Sequence, residues 1–165
     1  MWIIFKFDKK KIQLLKEDFK KKLGDNCTFY SPKLLVQKYK KNKLINNEVK
    51  ILGDYMFCFH ENFSNQTILN HLKFSVGLKY ILEGFLNAQN DIEFFVKKCK
   101  KIENRNGYIT ETLYEINVNK KYKFTKGPFV EKIFKIIDLQ KNKINILMGG
   151  LKTTVNRADI LFKPI

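Results

Sequence analysis

The sequence contains few of the residue types that carry catalysis or hold metals. Its only histidines are His60 and His71, and its three cysteines, Cys27, Cys58 and Cys99, lie far apart without a C-x-x-C pair. An odd, scattered set of cysteines argues against a disulfide framework or a zinc site and favours thiols buried in the core. Serine nucleophile motifs and glycine-rich phosphate loops are also missing. We therefore predict a non-enzymatic protein with no catalytic residue, metal site or cofactor.

Long hydrophobic runs are missing as well. No apolar segment approaches the ~18 residues that a membrane-spanning helix needs. Apolar residues still make up 44% of the 165-residue chain, which is enough for a folded core. The opening segment, residues 1–7, looks like a buried strand and shows neither the charged region nor the cleavage site of a signal peptide. These features predict a cytoplasmic protein with no membrane partner.

Acidic residues and arginine are scarce relative to lysine. The chain has 32 basic and 16 acidic residues, a formal charge of +16, and its only arginines are Arg105 and Arg157. Such an excess favours a phosphate-rich partner, through counterion release and electrostatic steering. Because arginine is the usual bidentate reader of guanine, its scarcity argues against extensive base readout. Nucleic acid is the predicted neighbour, contacted without high sequence specificity.

The segment from Ile51 to His60 is the densest apolar stretch in the first hundred residues. Aromatic residues alternate within it with Met56 and Cys58, so a strand here would have two apolar faces. Two interpretations stay open. The strand could be central and buried on both sides, or one face could pack inward while the other offers an aromatic surface to a partner.

Upstream of this stretch the pattern predicts a strand, a helix and a hairpin. Residues 2–7 read as a buried strand, and Asp8 is expected to cap a lysine-rich helix that ends near Leu23. Residues 27–36 read as a strand interrupted at Ser31–Pro32. The basic, asparagine-rich residues 38–47 are then expected to form the charged tip of a long hairpin.

Downstream, Asn65 is expected to cap a short helix, a strand follows near Val76, and a second long helix opens near Asn90. The apolar pattern weakens over 103–114, which predicts a linker between domains at 1–102 and 115–165. Short strand-like runs separated by turn signals predict a small β-barrel in the second domain. Apolar residues over 130–137 also fit a helical stripe, whereas Ile144, Ile146 and Met148 alternate as in a strand, so both interpretations stay open for 130–148.

The order of these features resembles the NusG family of transcription elongation factors, most of all its RfaH-type specialised paralogues. Residues 2–4 are similar to the family's opening Trp-Tyr-Val-Val strand, and residues 52–57 lie where the family has Phe-Pro-Gly-Tyr and a hydrophobic strand. Residues 76–81 match its Gly-Val continuation, and residues 126–129 resemble the Asp-Gly-Pro-Phe entry to its KOW barrel. The resemblance implies an α+β fold, with an N-terminal NGN-type α/β sandwich built on a mostly antiparallel sheet and a small SH3-like KOW β-barrel after it.

Two departures from the family pattern bear on the expected site. The proline before the key tyrosine is missing, so the turn at Gly53–Asp54 is expected to differ. The glycine of the KOW motif has no counterpart after Phe129, and the loop at 130–133 is shortened.

The resemblance implies a monomeric elongation and antitermination factor that binds the RNA polymerase clamp and suppresses pausing. Its polymerase-binding patch would be Leu52, Tyr55 and Phe57. The residues implied to contact nucleic acid, including the non-template DNA strand, are Lys9, Lys10, Lys11, Asn70, His71 and Lys73.

The resemblance also implies that the KOW domain recruits a ribosomal protein or a termination factor. The residues at the entry to that domain are Gly127, Pro128 and Phe129. RfaH itself can hold this domain as a helical hairpin, and the mixed periodicity of 130–148 makes similar switching a hypothesis here. The competing interpretation is a basic KOW-type RNA-binding or ribosome-associated protein that never touches polymerase.

Overall fold

The computed structural model describes residues 1–110, 113 and 115–165. Part of the predicted linker 103–114, at residues 111, 112 and 114, lies outside the described residues. The chain forms two compact units, one of Met1–Pro32 and Lys50–Lys101 and the other of Lys33–Val49 and Ile102–Ile165. The division into domains at 1–102 and 115–165 stays a prediction.

The first unit is built on a four-stranded antiparallel sheet. Its strands are β1 (Trp2–Phe7), β2 (Thr28–Tyr30), β5 (Tyr55–Phe59) and β6 (Leu78–Ile81), in the spatial order β2-β5-β1-β6. Strands β5 and β1 are therefore central. Apolar side chains alternate on both faces of β1, as expected for a strand covered on two sides.

Helix α1 (Ile12–Leu23) follows β1 after a 3₁₀ turn at Lys9–Lys11. The predicted cap is confirmed, since the Asp8 carboxylate accepts a hydrogen bond from the Lys10 N–H at 3.0 Å. The helix ends at Gly24, whose φ of 91° is a conformation that glycine adopts readily. The C-terminal end of α1 is therefore where the sequence predicts it, whereas Asp8 caps the 3₁₀ turn and α1 itself begins after Lys11 without a side-chain cap.

The two remaining helices are also found where the pattern predicts them. In α2 (Gln66–Leu72) the Asn65 side chain accepts a hydrogen bond from the Thr67 N–H at 2.9 Å, which confirms the predicted cap. Helix α3 (Gln89–Lys101) carries Asp91 in its first turn and lysines in its last turn. This charge arrangement interacts favourably with the helix dipole at both ends.

The two faces of the sheet pack against different helices. On one face Ile3, Phe5 and Phe7 are buried together with residues of α1 and α2. On the other face Phe57 is buried with Ile92 and Val96 of α3, and this second core is smaller. The first unit is thus a sandwich whose central sheet has helices on both sides.

Each of the two interpretations of residues 51–60, a buried central strand and an accessible aromatic surface, holds for part of strand β5. It pairs with β1 on one side and β2 on the other, and Met56, Phe57 and Cys58 are buried. Its two ends are different, because Tyr55 is half-buried and Phe59 is exposed. The strand is central and doubly covered in its middle, and it is accessible at its ends.

The hairpin prediction needs a correction. The break at Ser31–Pro32 is confirmed. Residues 38–47, however, do not form a charged loop that leads into β5. They belong largely to a separate two-stranded sheet, β3 (Lys33–Lys40) and β4 (Lys43–Lys50). The tip is only Lys41–Asn42, both with positive φ, the conformation of a two-residue hairpin turn.

The C-terminal strands form a five-stranded antiparallel sheet around one core. They are β7 (Lys121–Phe124), β8 (Ile133–Leu139), β9 (Lys143–Met148), β10 (Leu151–Asn156) and β11 (Phe162–Pro164). Their order is β10-β9-β8-β7-β11. The last strand in the sequence, β11, therefore pairs with β7, the first strand of this sheet in the sequence. The inward side chains of β7, β8, β9 and β11 converge on a single cluster, which gives the unit the form of a small barrel.

The predicted fold class is confirmed: an α+β sandwich on an antiparallel sheet, followed by a small β-barrel. Where residues 130–148 left helix and strand open, the structure has the β8–β9 hairpin. Strand β11 was not predicted. Whether the barrel can convert to a helical hairpin stays a prediction.

We predict that Gly77→Ala destabilises the first unit by roughly 2–5 kcal/mol. Gly77 has a φ of 87°, and an added Cβ would lie 2.7 Å from the Lys11 Cβ and 3.1 Å from the Lys11 carbonyl oxygen. The expected loss combines about 1–2 kcal/mol for the left-handed backbone with about 1–3 kcal/mol for overpacking. Urea unfolding followed by circular dichroism measures it.

Gly84→Ala is the matched control. Gly84 has a φ of 77°, but an added Cβ would meet nothing within 4 Å, so this variant loses only the backbone contribution. Equal losses of unfolding free energy in the two variants would contradict the close approach of Gly77 to Lys11.

Candidate partner-binding surface

Three side chains lie in one row across the central strands of the first unit. Lys6 of β1 is paired with Tyr55 of β5 on one side and with Tyr80 of β6 on the other. Directly paired residues point to the same face of a sheet. This row, the tyrosine–lysine cluster (Lys6, Tyr55 and Tyr80), therefore lies on the α3 side of the sheet.

The cluster is held together by hydrogen-bond and cation–π contacts. The hydroxyl oxygens of Tyr55 and Tyr80 are 2.7 Å apart, and their ring centroids are separated by 6.3 Å in an edge-on arrangement. The Lys6 Nζ lies 5.3 Å from the Tyr55 ring and 5.8 Å from the Tyr80 ring. Both separations are within the range of an attractive cation–π contact. The two rings are thus fixed relative to each other while they remain open to solvent.

The electrostatics of the cluster follow from these contacts. The nearby Tyr55 and Tyr80 raise the pKa of Lys6, so its ammonium stays charged well above neutral pH. The hydrogen bond with Tyr55 raises the pKa of Tyr80. At neutral pH the cluster therefore presents two phenol hydroxyls and one positive charge, which suits a partner that offers apolar surface beside hydrogen-bond acceptors.

A carboxylate joins this cluster to the basic turn before α1. The Lys9 Nζ lies 3.4 Å from a carboxylate oxygen of Asp54, the residue before Tyr55. Although partial desolvation of Asp54 opposes it, the hydrogen bond and charge of Lys9 lower the pKa of that carboxyl. One predicted nucleic-acid residue, Lys9, therefore lies next to the predicted polymerase patch. Lys10 and Lys11 of the same turn are exposed.

The predicted patch residues differ in accessibility. Tyr55 and Leu52 are half-buried, whereas Phe57 is 4% exposed. The Phe57 ring lies 5.7 Å from the ring of Phe95 on α3 and packs with Val96 of the same helix. Phe57 is therefore buried beneath the surface. Helix α3 covers its ring, which is predicted to contact a partner.

The turn before Tyr55 is closed by backbone hydrogen bonds. The Tyr55 N–H donates to the Leu52 carbonyl at 3.1 Å, and the Gly53 N–H donates to the Lys50 carbonyl at 3.2 Å. Gly53 has a φ of 60°. The left-handed glycine closes the chain here and positions Asp54 toward Lys9.

The predicted residues at the end of α2 form a separate exposed group. Asn70, His71 and Lys73 are all exposed, and the Asn70 side chain accepts a hydrogen bond from the Gln66 amide at 3.3 Å. The next residue, Phe74, is 85% exposed. An unburied aromatic ring beside a lysine is suited to stacking on a base, so Phe74 extends this group.

The predicted KOW-entry residues form a structural turn. The Gly127 N–H donates to the Gln37 side-chain oxygen at 3.0 Å, and the Gln37 N–H donates to the Thr125 carbonyl at 2.9 Å. Phe129 packs its ring 5.7 Å from that of Phe124, while Pro128 is exposed. The turn is thereby attached to β3, which belongs to the same compact unit.

The described residues hold neither a group of three or more possible metal ligands nor a helix long and apolar enough to cross a membrane. The thiols of Cys27, Cys58 and Cys99 are buried, as predicted. Burial raises the pKa of the Cys27 and Cys58 thiols. Both are therefore protonated at neutral pH and poorly nucleophilic.

Sequence reasoning missed three residues of these surfaces: the half-buried Lys6 and the exposed Tyr80 and Phe74. Lys6 and Tyr80 flank Tyr55 only through strand pairing, so a register prediction for β1, β5 and β6 would have been needed to find them. Phe74 carried a local signal, since it is an aromatic residue directly after a short helix and beside Lys73.

No known protein-family model matches this chain, and no curated protein matches it. Among solved structures, the chain is similar to Thermotoga maritima NusG at 13% identity, with a TM-score of 0.35, over 96% of this chain and 94% of that one. It is also similar to a chain of the MjSpt4:Spt5 complex, in conformation B, at 13% identity and a TM-score of 0.32, over 100% and 98% of the two chains. Scores this low give no residue a role.

We predict that Tyr55→Phe lowers the pKa of Tyr80. The substitution removes the hydroxyl whose hydrogen bond raises that pKa and leaves Lys6, whose charge favours the phenolate. Nuclear magnetic resonance of ring-labelled tyrosine, followed through a pH titration, measures the change. Tyr39→Phe is the control, because Tyr39 is an exposed tyrosine of β3. A Tyr80 titration unaltered by Tyr55→Phe would contradict the hydroxyl pair.

Proposed function

We propose that this chain is a transcription elongation factor that binds RNA polymerase and has no enzymatic activity of its own. The observation that carries the proposal is the tyrosine–lysine cluster of Lys6, Tyr55 and Tyr80. It presents two fixed aromatic rings and a cation at the end of a rigid sheet, next to the half-buried Leu52. Tyrosines in such settings are frequent anchors of protein interfaces.

The cluster favours a protein partner over a small molecule. Both tyrosines are supported by β-strands, so little side-chain freedom is lost when a partner binds them. Tyr80 is 44% exposed, and the cluster lies on a sheet face. We propose that the partner is the clamp of RNA polymerase, and that Tyr55 and Tyr80 are the main contacts with Leu52 at the rim.

The proposed mechanism is a population shift. A factor that binds the closed clamp better than the open clamp moves the polymerase toward its elongating state, by no more than its difference in affinity for the two states. Suppressed pausing is the expected consequence. The basic turn at Lys9–Lys11 and the exposed group at Asn70, His71, Lys73 and Phe74 would contact the non-template DNA strand.

The second unit would recruit a further partner, a ribosomal protein or a termination factor. The narrower assignments also belong to the proposal: a monomeric, cytoplasmic factor of the RfaH type with antitermination activity. Support for them is the order of sequence features and the sandwich followed by a barrel.

We predict that Tyr55→Ala lowers affinity for an RNA polymerase elongation complex at least tenfold, which corresponds to about 1.4 kcal/mol. The variant lacks the ring that contacts the partner and leaves the Tyr80 hydroxyl without its hydrogen-bond partner. Binding to a reconstituted elongation complex, scored together with pause lifetime, measures the effect. Wild-type protein is expected to shorten pauses and the variant to fail at the same concentration.

Tyr39→Ala is the matched control, because Tyr39 is another exposed tyrosine but lies in the β3–β4 hairpin. It should bind the elongation complex normally. Thermal unfolding distinguishes weakened binding from loss of fold: if Tyr55→Ala unfolds the protein, Tyr55 is a core residue and the patch assignment fails. The KOW-type RNA-binding alternative would be favoured if the wild-type protein does not bind polymerase but associates strongly with ribosomes or free RNA.

We predict that changing Lys9, Lys10 and Lys11 to Gln weakens binding to single-stranded DNA. The slope of log affinity against log salt should fall by up to about 3, roughly one for each phosphate that is no longer neutralised. Stability should change little, because the Lys9–Asp54 pair is exposed and water screens its attraction. Fluorescence anisotropy at several salt concentrations measures the slope.

The charge-matched control for this variant replaces Lys20, Lys21 and Lys98 with Gln. These lysines are exposed on α1 and α3, away from the turn before α1. Equal losses of affinity in both variants would mean that only total charge matters.

A further inference from the structure

The outer face of the barrel sheet is covered by lysine side chains. In β7 and β8 the buried residues Tyr122, Phe124, Phe134 and Ile136 point into the core, so the residues between them point outward. The same alternation holds in β9. The outward lysines, here called the lysine face, are Lys121, Lys123, Lys135, Lys143, Lys152 and Lys163.

Strand register places several of these lysines directly opposite one another. Lys121 of β7 is paired with Lys135 of β8, and Lys123 of β7 is paired with Lys163 of β11. Lys135 is in turn opposite Leu147 of β9, which is opposite Lys152 of β10. Like charges directly opposite in an antiparallel pair destabilise a sheet. The barrel thus carries two repulsive pairs on one face.

The face has almost no acid to neutralise these charges. Its one acidic residue among the described strands is Asp138, which is paired with Asn145 and accepts a hydrogen bond from the Asn145 amide at 3.0 Å. Among the described residues, the ion pairs involve Lys9, Lys22, Lys33 and Lys97, and none involves a member of the lysine face. Within the part of the chain that the structure describes, no ion pair of these lysines offsets the repulsion.

The described strands of this face also carry no outward aromatic side chain. Between the lysines the face carries the exposed Ile133, the half-buried Leu147 and short polar residues. Surfaces that bind single strands combine positive charge with aromatic rings on which bases stack. A duplex instead keeps its bases stacked inside and presents phosphates outside, where lysine side chains can contact them without reading sequence.

We propose that the lysine face binds the phosphate backbone of a nucleic-acid duplex without reading its sequence. The site shares no residue with the tyrosine–lysine cluster or with the lysines before α1, and it does not depend on polymerase binding. A polyanion placed across the face screens both Lys–Lys pairs at once, so duplex binding removes an unfavourable interaction of the free barrel.

Lys135→Glu tests the proposal because it moves stability and binding in opposite directions. Glutamate opposite Lys121 replaces a repulsive pair with an attractive one, so the melting temperature should rise. The same change removes one positive charge and adds a negative one in the middle of the face, so affinity for duplex DNA should fall at least tenfold. If Lys135 contributed only to folding, its replacement would not both raise the melting temperature and weaken duplex binding.

The assay measures the affinity of the full chain for two probes at several salt concentrations. One probe is a DNA duplex of arbitrary sequence, and the other is one strand of that duplex. A neutral variant, in which Lys121, Lys135 and Lys152 are changed to Gln, should reduce the slope of log affinity against log salt for the duplex by roughly 3. This variant keeps the test valid if Lys135→Glu fails to fold. Lys98→Glu, at an exposed lysine on α3, is the control for total charge.

The expected result is weaker duplex binding by both face variants and nearly normal binding by Lys98→Glu. The proposal is overturned if the face variants bind the duplex as wild type does, or if Lys98→Glu loses as much affinity. It is also overturned if the wild-type chain prefers the single strand and the face variants abolish that preference. The outcome is independent of the elongation-complex assay, since no polymerase is present.

Discussion

The alternation of side chains along β1 is the constraint on which the first unit depends. Ile3, Phe5 and Phe7 point to the core formed with α1 and α2, while Trp2, Ile4 and Lys6 point to the face that α3 partly covers. Because β1 lies between β5 and β6, a register shift of one residue would exchange these two sets. It would bury Lys6 in an aromatic core and expose Phe5, so the cluster and the core are fixed together.

Much of the fold could be predicted because its elements have strong periodicity and clear caps. Asp8, Asn65 and Gly24 mark helix ends by local chemistry, and the inward residues of β9 alternate cleanly. The β3–β4 hairpin was misassigned because its lysines and asparagines have low strand propensity, and only pairing between the two strands makes them extended. Strand β11 was missed because three residues ending in Pro164 carry no pattern.

The candidate site was predictable one residue at a time but not as an arrangement. Tyr55 stands out as an aromatic residue at a turn, yet its neighbours Lys6 and Tyr80 come from strands that are adjacent only through pairing. Phe57 shares the face of Tyr55, and its burial depends on where α3 crosses the sheet, which no local pattern specifies. Sequence therefore identifies the residue types of this surface, and tertiary packing decides which of them a partner can reach.

Lysine abundance by itself does not account for the outer face of the barrel. A lysine-rich composition raises the number of lysines everywhere, including on α1 and α3, where pairs such as Lys22–Asp18 and Lys97–Glu93 offset them. On the barrel the opposite occurs, because Lys121 faces Lys135 and Lys123 faces Lys163, and Asp138 is the one acidic residue on the described strands of this sheet. A sheet can reduce such repulsion by exchanging one lysine for glutamate at either pair. That both pairs remain positive is the physical reason to look for an anionic partner at this face.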